Sequence, residues 1–132
     1  MMVGLDTNVL VRYIMQDDAV QSAKATALIE SLDADNPGYV TVVSVVELYW
    51  VLTSCYERSN EDFQQVMQVL LQTRQMVVET ADQVQRALRV FAHGKADFAD
   101  CLIERAAAGA GCERTMTFDV KASKHAAMTL IG

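Results

Sequence analysis

Residues 2–10, Met-Val-Gly-Leu-Asp-Thr-Asn-Val-Leu, pass from a short apolar run to a helical pattern, with an aspartate at the junction. The run at residues 2–5 predicts a first β-strand, and the spacing over residues 8–15 predicts a short helix. Asp6 therefore ends the strand directly before the helix. In an open parallel sheet, ligands bind at the carboxyl ends of the strands, so Asp6 lies where a site is expected.

The same alternation of strand and helix continues to the end of the chain. Apolar spacing and turn residues predict the elements that follow the first helix. Helices are predicted at residues 17–32, 44–56, 60–71, 81–93, 98–108 and 120–125, and strands at residues 39–43, 76–78, 115–118 and 128–131. Strands that alternate with helices predict an α/β fold, in which a mainly parallel central sheet is covered on both faces.

Length and composition predict a single domain formed by residues 1–132. The chain is 52% apolar and is long enough to bury a core. Residues 1–10 lack the basic start of a secretory signal, and no apolar run approaches the roughly 18 residues that a membrane span needs. Cys55, Cys101 and Cys112 form no close-spaced pair, so we expect reduced, buried thiols in a cytoplasmic protein.

The charge balance is acidic, with a net charge of −6 and a pI near 4.7. Binding to nucleic acid normally uses a basic surface, so an acidic chain needs bound cations or a local basic patch for that purpose. Candidates for such a patch are Arg12, Arg86, Arg89 and Lys95. His93 and His125 lie near predicted helix ends, where capping or solvent exposure explains them better than a general-base role.

Five carboxylates fall at the ends of predicted strands or near the starts of predicted helices: Asp6, Glu47, Asp97, Asp100 and Asp119. Each has a structural explanation when it is considered alone. Ser44 and Glu47 fit a capping box at the start of a helix, which places Glu47 in the first turn. Asp97 can cap another helix, with Asp100 favoured by the helix dipole.

Considered together, the acids predict a metal site. Asp6 follows four apolar residues and Glu47 has apolar neighbours in sequence, so both carboxylates are expected to lose hydration. Several carboxylates in one place also repel one another. A divalent cation offsets both costs, and oxygen ligands suit Mg²⁺ and Mn²⁺. Such an ion supports hydrolysis of a phosphodiester, which the pattern favours over carbonyl or redox chemistry.

Four segments resemble the acidic motifs of PIN domains. Residues 2–10 are similar to the opening strand and turn of that family, residues 44–48 to its second motif, residues 97–103 to its third and residues 117–119 to its fourth. The resemblance spans nearly the whole chain in the order of the family. The short length and the lack of an added domain also resemble the VapC toxins of bacterial toxin–antitoxin pairs.

This resemblance implies a three-layer α/β/α sandwich and an Mg²⁺-dependent endoribonuclease, with Mn²⁺ as an alternative ion. The implied catalytic metal ligands are Asp6, Glu47, Asp100 and Asp119. The implied orienting residues are Asn8, Thr117 and Asp97, of which Asp97 is fully explained by capping alone. The resemblance further implies a homodimer and inhibition by a small antitoxin, which places a helix or an extended tail in an apolar groove.

Two other functions remain open at the level of the sequence. An aspartate at a strand end is also typical of haloacid-dehalogenase-like phosphatases, but these carry an Asp-x-Asp pattern and the second position here is Asn8. A non-catalytic binding module with an acidic pocket is the other possibility, but a degenerate site has no need to keep all four motif acids, and a phospho-acceptor receiver would want a lysine after the fifth strand. No lysine follows residues 128–131. Both functions therefore fit the sequence less well than a nuclease.

Overall fold

Two parallel sheets organise the chain, one in residues 1–79 and one in residues 80–132. We call these two compact parts unit 1 and unit 2. The computed structural model describes every residue from Met1 to Gly132. None of the helices combines the length and the apolar character that a membrane span requires.

Unit 1 contains a three-stranded sheet in the order β1-β2-β3, with helices in the connections. Its elements are β1 (Val3–Gly4), α1 (Thr7–Met15), α2 (Ala19–Glu30), β2 (Gly38–Val40), α3 (Val42–Trp50), a π-helical turn (Val51–Cys55), α4 (Asn60–Gln72) and β3 (Met76–Val78). Both strand pairs are parallel, with Gly38 opposite Val3 on one side and opposite Met76 on the other. A Cβ at Gly38 would lie 2.6 Å from Leu5 Cδ1, so the glycine allows this close approach.

Unit 2 contains two parallel strands and three helices. Its elements are α5 (Ala81–His93), α6 (Phe98–Gly109), β4 (Met116–Thr117), α7 (Val120–His125) and β5 (Thr129–Leu130). The strands β4 and β5 pair with Met116 opposite Thr129. Every strand pair in the chain is parallel, which confirms the predicted mainly parallel α/β class.

Side chains from several elements form the apolar interior of each unit. In unit 1, fully buried residues include Leu10, Val40, Val45, Leu48 and Phe63. In unit 2, the rings of Phe91 and Phe98 meet edge to face, with their centroids 5.7 Å apart. This packing fixes the elements on which the candidate site residues lie.

The start of α3 differs from the predicted start. The helix begins at Val42, and Thr41 caps it by accepting a hydrogen bond from the Ser44 N–H at 3.1 Å. The predicted capping box of Ser44 and Glu47 is therefore wrong, and Glu47 lies in the second turn rather than the first. Threonine is a somewhat weaker cap than serine, but β2 ends at Val40, so Thr41 is the residue that stands at the junction of strand and helix.

The prediction of three buried thiols is also only partly right. Cys101 is buried, but Cys55 and Cys112 are exposed. Burial raises the pKa of the Cys101 thiol to about 11, with a further contribution from the negative charges of Asp100, Asp97 and Glu104. Cys55 ends the π-helical turn and Cys112 follows α6, so both lie in connecting segments where apolar neighbours in sequence do not imply burial.

The difference among the thiols predicts their reactivity. At pH 8, Cys55 and Cys112 should react with an aromatic disulfide reagent at ordinary rates. Cys101 should react at least about 100-fold more slowly, because the thiolate is the nucleophile and this thiol is buried with a raised pKa. A Cys112→Ser variant should lose one fast-reacting thiol and a Cys101→Ser variant none. Three equally fast thiols in the folded protein would contradict this arrangement.

Candidate metal centre

The first acid group lies in unit 1 and consists of Asp6 and Glu47. Asp6 caps α1, and its Oδ1 accepts a hydrogen bond from the Thr7 N–H at 2.8 Å. The hydroxyl of Thr7 donates to Glu47 Oε1 at 2.7 Å. Thr7 is 7% exposed, so its hydroxyl has little freedom to turn elsewhere. Thr7 thus joins the segment after β1 to α3 and fixes one oxygen of Glu47.

Asp6 and Glu47 are both exposed, which contradicts the loss of hydration expected from their neighbours in sequence. Val45 and Leu48 are buried, but an α-helix has 3.6 residues per turn, so Glu47 points in another direction from either of them. The apolar neighbours of Glu47 therefore build the core of unit 1 without enclosing its carboxylate.

The second acid group lies in unit 2 and consists of Asp97, Asp100 and Asp119. Asp97 caps α6, and its Oδ1 accepts from the Asp100 N–H at 3.3 Å. Asp119 caps α7, and its Oδ1 accepts from the N–H groups of Lys121 at 2.8 Å and Ala122 at 3.3 Å. The predicted capping role of Asp97 is confirmed, and Asp119 has the same role at the next helix.

The acids of unit 2 are close enough to act on one another. Partial burial raises the pKa of Asp100 above its ordinary value, and the negative charges of Asp97 and Asp119 raise it further. The expected repulsion among carboxylates therefore occurs within this group. A cation beside Asp100 would remove that repulsion, because it favours the ionised form of all three acids.

The orienting residues predicted from the resemblance have different positions. Thr117 ends β4, and its Oγ1 accepts a hydrogen bond from the Asp119 N–H at 3.0 Å, so it holds the backbone that carries this acid. Asn8 is an exposed residue in the first turn of α1. The side chain that orients Glu47 is Thr7, which lies outside the predicted set of orienting residues. A small polar residue directly after a strand-end acid is the signal that could have indicated it.

Capping leaves part of each carboxylate free. Asp6, Asp97 and Asp119 each use Oδ1 for a backbone N–H, and Glu47 uses Oε1 for the Thr7 hydroxyl. The second oxygen of each of these carboxylates accepts no hydrogen bond from the protein, and neither do the two oxygens of Asp100. The structural role and a ligand role are therefore compatible in the same side chain. No three or more His, Cys, Asp or Glu side chains of the chain form a group that could hold an ion.

Comparison of the sequence with known protein families shows which family the chain belongs to. The sequence model of the PIN domain matches residues 3–128. The chain belongs to the PIN-domain family. No curated protein matches the sequence closely enough to be taken as a relative. The match includes both acid groups and both units, because it extends from β1 almost to the end of the chain.

Membership of the PIN-domain family establishes the fold class and the general activity. The parallel β1-β2-β3 sheet with its helices is consistent with the expected three-layer α/β/α fold. PIN domains are generally nucleases and typically use divalent metal ions, so this chain is a metal-dependent nuclease by family. The donor set agrees with that chemistry, since free carboxylate oxygens are what Mg²⁺ and Mn²⁺ prefer and no thiol or imidazole occurs in either acid group.

Proposed function

We propose that this PIN domain is an Mg²⁺-dependent endoribonuclease, with Mn²⁺ as an alternative ion, and that it acts in the cytoplasm as a VapC-type toxin. The observation that carries the proposal is a set of acids in which each capping carboxylate retains one oxygen without a hydrogen bond and the pKa of Asp100 is raised. Asp97 and Asp100 are neighbours at the start of α6, but Asp119 comes from the start of α7, so the capping of one helix does not account for the repulsion among all three.

The proposed metal ligands are Asp6, Glu47, Asp100 and Asp119. A bound divalent cation supplies Lewis acidity, which promotes ionisation of water and offsets charge on a phosphate. We propose that both acid groups take part in metal binding, so that residues 1–132 work as one catalytic domain. The family match supports the involvement of both groups because it covers both. Mg²⁺ commonly keeps several waters and takes few protein ligands, so neither group needs to form a closed cage alone.

The remaining polar residues position the acids. Thr7 donates to Glu47 and limits its rotation, while Thr117 holds the backbone N–H of Asp119. Asp97 fixes the first turn of α6, from which Asp100 projects, and its charge contributes to the raised pKa of Asp100. We propose Asn8 as a further orienting residue because it directly follows Thr7. Such supporting partners typically change metal affinity or activity by about 10- to 100-fold when they are removed.

An exposed aromatic ring supports a substrate with accessible bases. Phe118 is 79% exposed and lies between Thr117 and Asp119 in sequence. Aromatic side chains bind single-stranded nucleic acid by stacking on the bases, whereas a phosphatase acting on small molecules has no need of such a ring. We therefore propose single-stranded or looped RNA as the substrate.

The proposed partners are a cognate antitoxin and a second copy of the chain. An apolar groove of about 400 Å³ in unit 1 has the chemistry that an amphipathic antitoxin helix needs. Its apolar lining includes Tyr13, Ile14, Leu52, Val66 and Val69. For the homodimer, the support comes from α3, where Val43 and Trp50 are 67% and 62% exposed. Large apolar side chains exposed on one helix are typical of surfaces that a protein partner covers.

The proposed function predicts cleavage that requires the metal. Purified protein incubated with defined RNAs should cut them internally in Mg²⁺ and should not cut them in EDTA. If water attacks the phosphodiester in line, the products should carry a 5′-phosphate and a 3′-hydroxyl rather than a 2′,3′-cyclic phosphate. Mapping the cut ends and their chemistry provides the measurement, and DNA of the same sequence provides the matched control.

Other outcomes would identify the rival functions. If the DNA is cut as fast as the RNA, the protein is a nuclease that is not specific for RNA. Release of phosphate from small esters, together with a phosphorylated Asp6 and no cutting, would favour the haloacid-dehalogenase-like phosphatase. Binding of Mg²⁺ without any hydrolysis would favour a non-catalytic binding module.

A further inference from the structure

A concave surface in unit 2 is lined by cationic and imidazole side chains. It has a volume of about 470 Å³ and lies between the C-terminal ends of α5 and α7. We call it the basic cleft, and its four polar side chains are those of Arg89, His93, Lys124 and His125. The only other lining residues are Val90 and Gly94, and no acid lines the cleft.

The two permanent charges of the basic cleft are not neutralised. The ion pairs of the structure join Arg12 to Asp17 and Arg105 to Glu104, so Arg89 and Lys124 have no carboxylate partner. Both side chains belong to exposed residues. A cationic cleft without counter-charges attracts anions, because like charges gathered on a concave surface reinforce one another in potential.

Charge is distributed unevenly between the two units. Residues 1–79 contain four lysines and arginines against eleven aspartates and glutamates, whereas residues 80–132 contain seven against six. Both histidines also lie in unit 2. The acidic balance of the whole chain therefore comes from unit 1, and the local basic patch that an acidic nuclease needs is available in unit 2.

Helix-end stabilisation explains only part of the basic cleft. Cations near the C-terminus of a helix interact favourably with its dipole. His93 does so directly, since its Nδ1 lies 2.7 Å from the Arg89 carbonyl oxygen, which can only accept a hydrogen bond. That bond leaves the Nε2 of the same ring available to a ligand. Two helix ends that face one cleft also place their basic side chains together, which the capping of either helix alone does not require.

The chain connects the basic cleft to the second acid group on both sides. His93 ends α5, and Asp97 caps the next helix four residues later. Lys124 and His125 lie in the last turn of α7, and Asp119 caps the start of that same helix. Six helical residues span about 9 Å, so the cleft lies roughly one short helix away from a proposed metal ligand. A nucleic-acid strand at the acids can reach the cleft with a neighbouring part of its backbone.

We infer that the basic cleft, formed by Arg89, His93, Lys124 and His125, binds phosphate groups of the substrate backbone beside the cleavage centre. The inference rests on the proposed nuclease function for the identity of the strand. A protein partner is a poorer fit, because protein interfaces are anchored by buried apolar or aromatic side chains and Val90 is the only apolar residue here. Phosphate binding requires only positive charge and donors.

The test measures binding of a single-stranded RNA by fluorescence anisotropy in EDTA over a range of salt concentrations. An Arg89→Gln/Lys124→Gln variant is compared with a Lys24→Gln/Arg74→Gln variant, which removes two exposed positive charges from unit 1. For single strands, the slope of log K against log salt is about −0.7 per phosphate contact. The cleft variant should therefore lose about 1.4 from the slope and about 50-fold in affinity near 50 mM salt. The control variant should keep the slope of the parent.

Three results would overturn the inference. The first is equal slopes for the cleft variant and the control in proteins with unchanged melting temperatures. The second is a parent protein that does not bind RNA in EDTA at low salt. The third concerns inorganic phosphate, followed through the imidazole resonances of His93 and His125. If phosphate binds the cleft more tightly than the RNA does, the ligand is a small phosphate compound rather than a backbone.

These measurements are independent of cleavage. If the parent cuts RNA in Mg²⁺ but the cleft variant has the same slope of log K against log salt, the proposed function stands and the basic cleft takes no part in it. If the slope depends on the cleft but the parent cuts no RNA, the cleft is a phosphate-binding site and the proposed nuclease function is wrong.

Discussion

An Asp100→Asn variant should lose metal-dependent RNA cleavage, with a fall in kcat/KM of at least about 100-fold. Removal of partners that only support metal ligands typically costs about 10- to 100-fold, and loss of a ligand should cost more. Asp100 is the member of the second acid group whose two oxygens have no hydrogen bond within the protein, so asparagine removes no structural contact. The rate of internal cutting of one defined RNA in excess Mg²⁺ measures the loss.

An Asp6→Asn variant, which changes an acid of unit 1, should also lose metal-dependent RNA cleavage. Its Oδ1 can still cap α1 as an amide oxygen, so the fold should persist while the negative charge is lost. Asp35→Asn and Asp82→Asn are matched controls, because each removes one exposed carboxylate from unit 1 or unit 2 and neither side chain belongs to an acid group. If only one of the two acid-group variants loses cleavage, the acid group of the other variant is not required for catalysis. If neither does, the assignment of the metal ligands is wrong.

Magnesium should raise the melting temperature of the parent protein. An ion that binds only the folded state stabilises it by about 2.7 kcal/mol at a concentration 100 times its Kd. For a chain of 132 residues, this corresponds to a rise on the order of 10 °C. Calorimetry with Mg²⁺, with Ca²⁺ and with EDTA provides the measurement. An unchanged melting temperature at tens of millimolar Mg²⁺ would contradict a metal site in this chain.

In EDTA, the Asp100→Asn variant should not melt below the parent, although it lacks one of the proposed metal ligands. The folded-state pKa of Asp100 is raised, so its ionised form opposes folding at neutral pH and this cost disappears as the pH falls below the unfolded-state pKa. Without metal at pH 7.5, the variant should melt at or above the temperature of the parent, although asparagine also gives up a favourable charge in the first turn of α6. The difference should shrink as the pH falls, because the raised pKa lets the parent carboxyl take up a proton at a higher pH in the folded state than in the unfolded state.

Addition of Mg²⁺ should then raise the melting temperature of the parent above that of the variant, since the variant has lost one ligand and one negative charge. A variant that gains as much from Mg²⁺ as the parent does would show that Asp100 takes no part in binding the ion. A variant that melts well below the parent in EDTA would show that the charge of Asp100 stabilises the fold, contrary to its raised pKa.

Much of the secondary structure follows from local patterns. The helices α5 and α7 end at His93 and His125 as predicted, since polar or small residues interrupt their apolar spacing at those points. The cap at Asp97 was also predictable, because an aspartate directly before an apolar helical run is a strong local signal. The start of α3 was not predictable, because Thr41 and Ser44 can both cap a helix and the choice depends on where β2 ends.

The sequence by itself determined the α/β class, the order of the elements and the identity of the five acids, because periodicity and capping are properties of a few adjacent residues. Only the tertiary structure decided that Thr7 orients Glu47, that Glu47 is exposed, and that Arg89 lines one cleft with Lys124. Those facts depend on residues from distant parts of the chain. Their distances are set by how helices pack on strands, which the local pattern of apolar and polar residues does not contain.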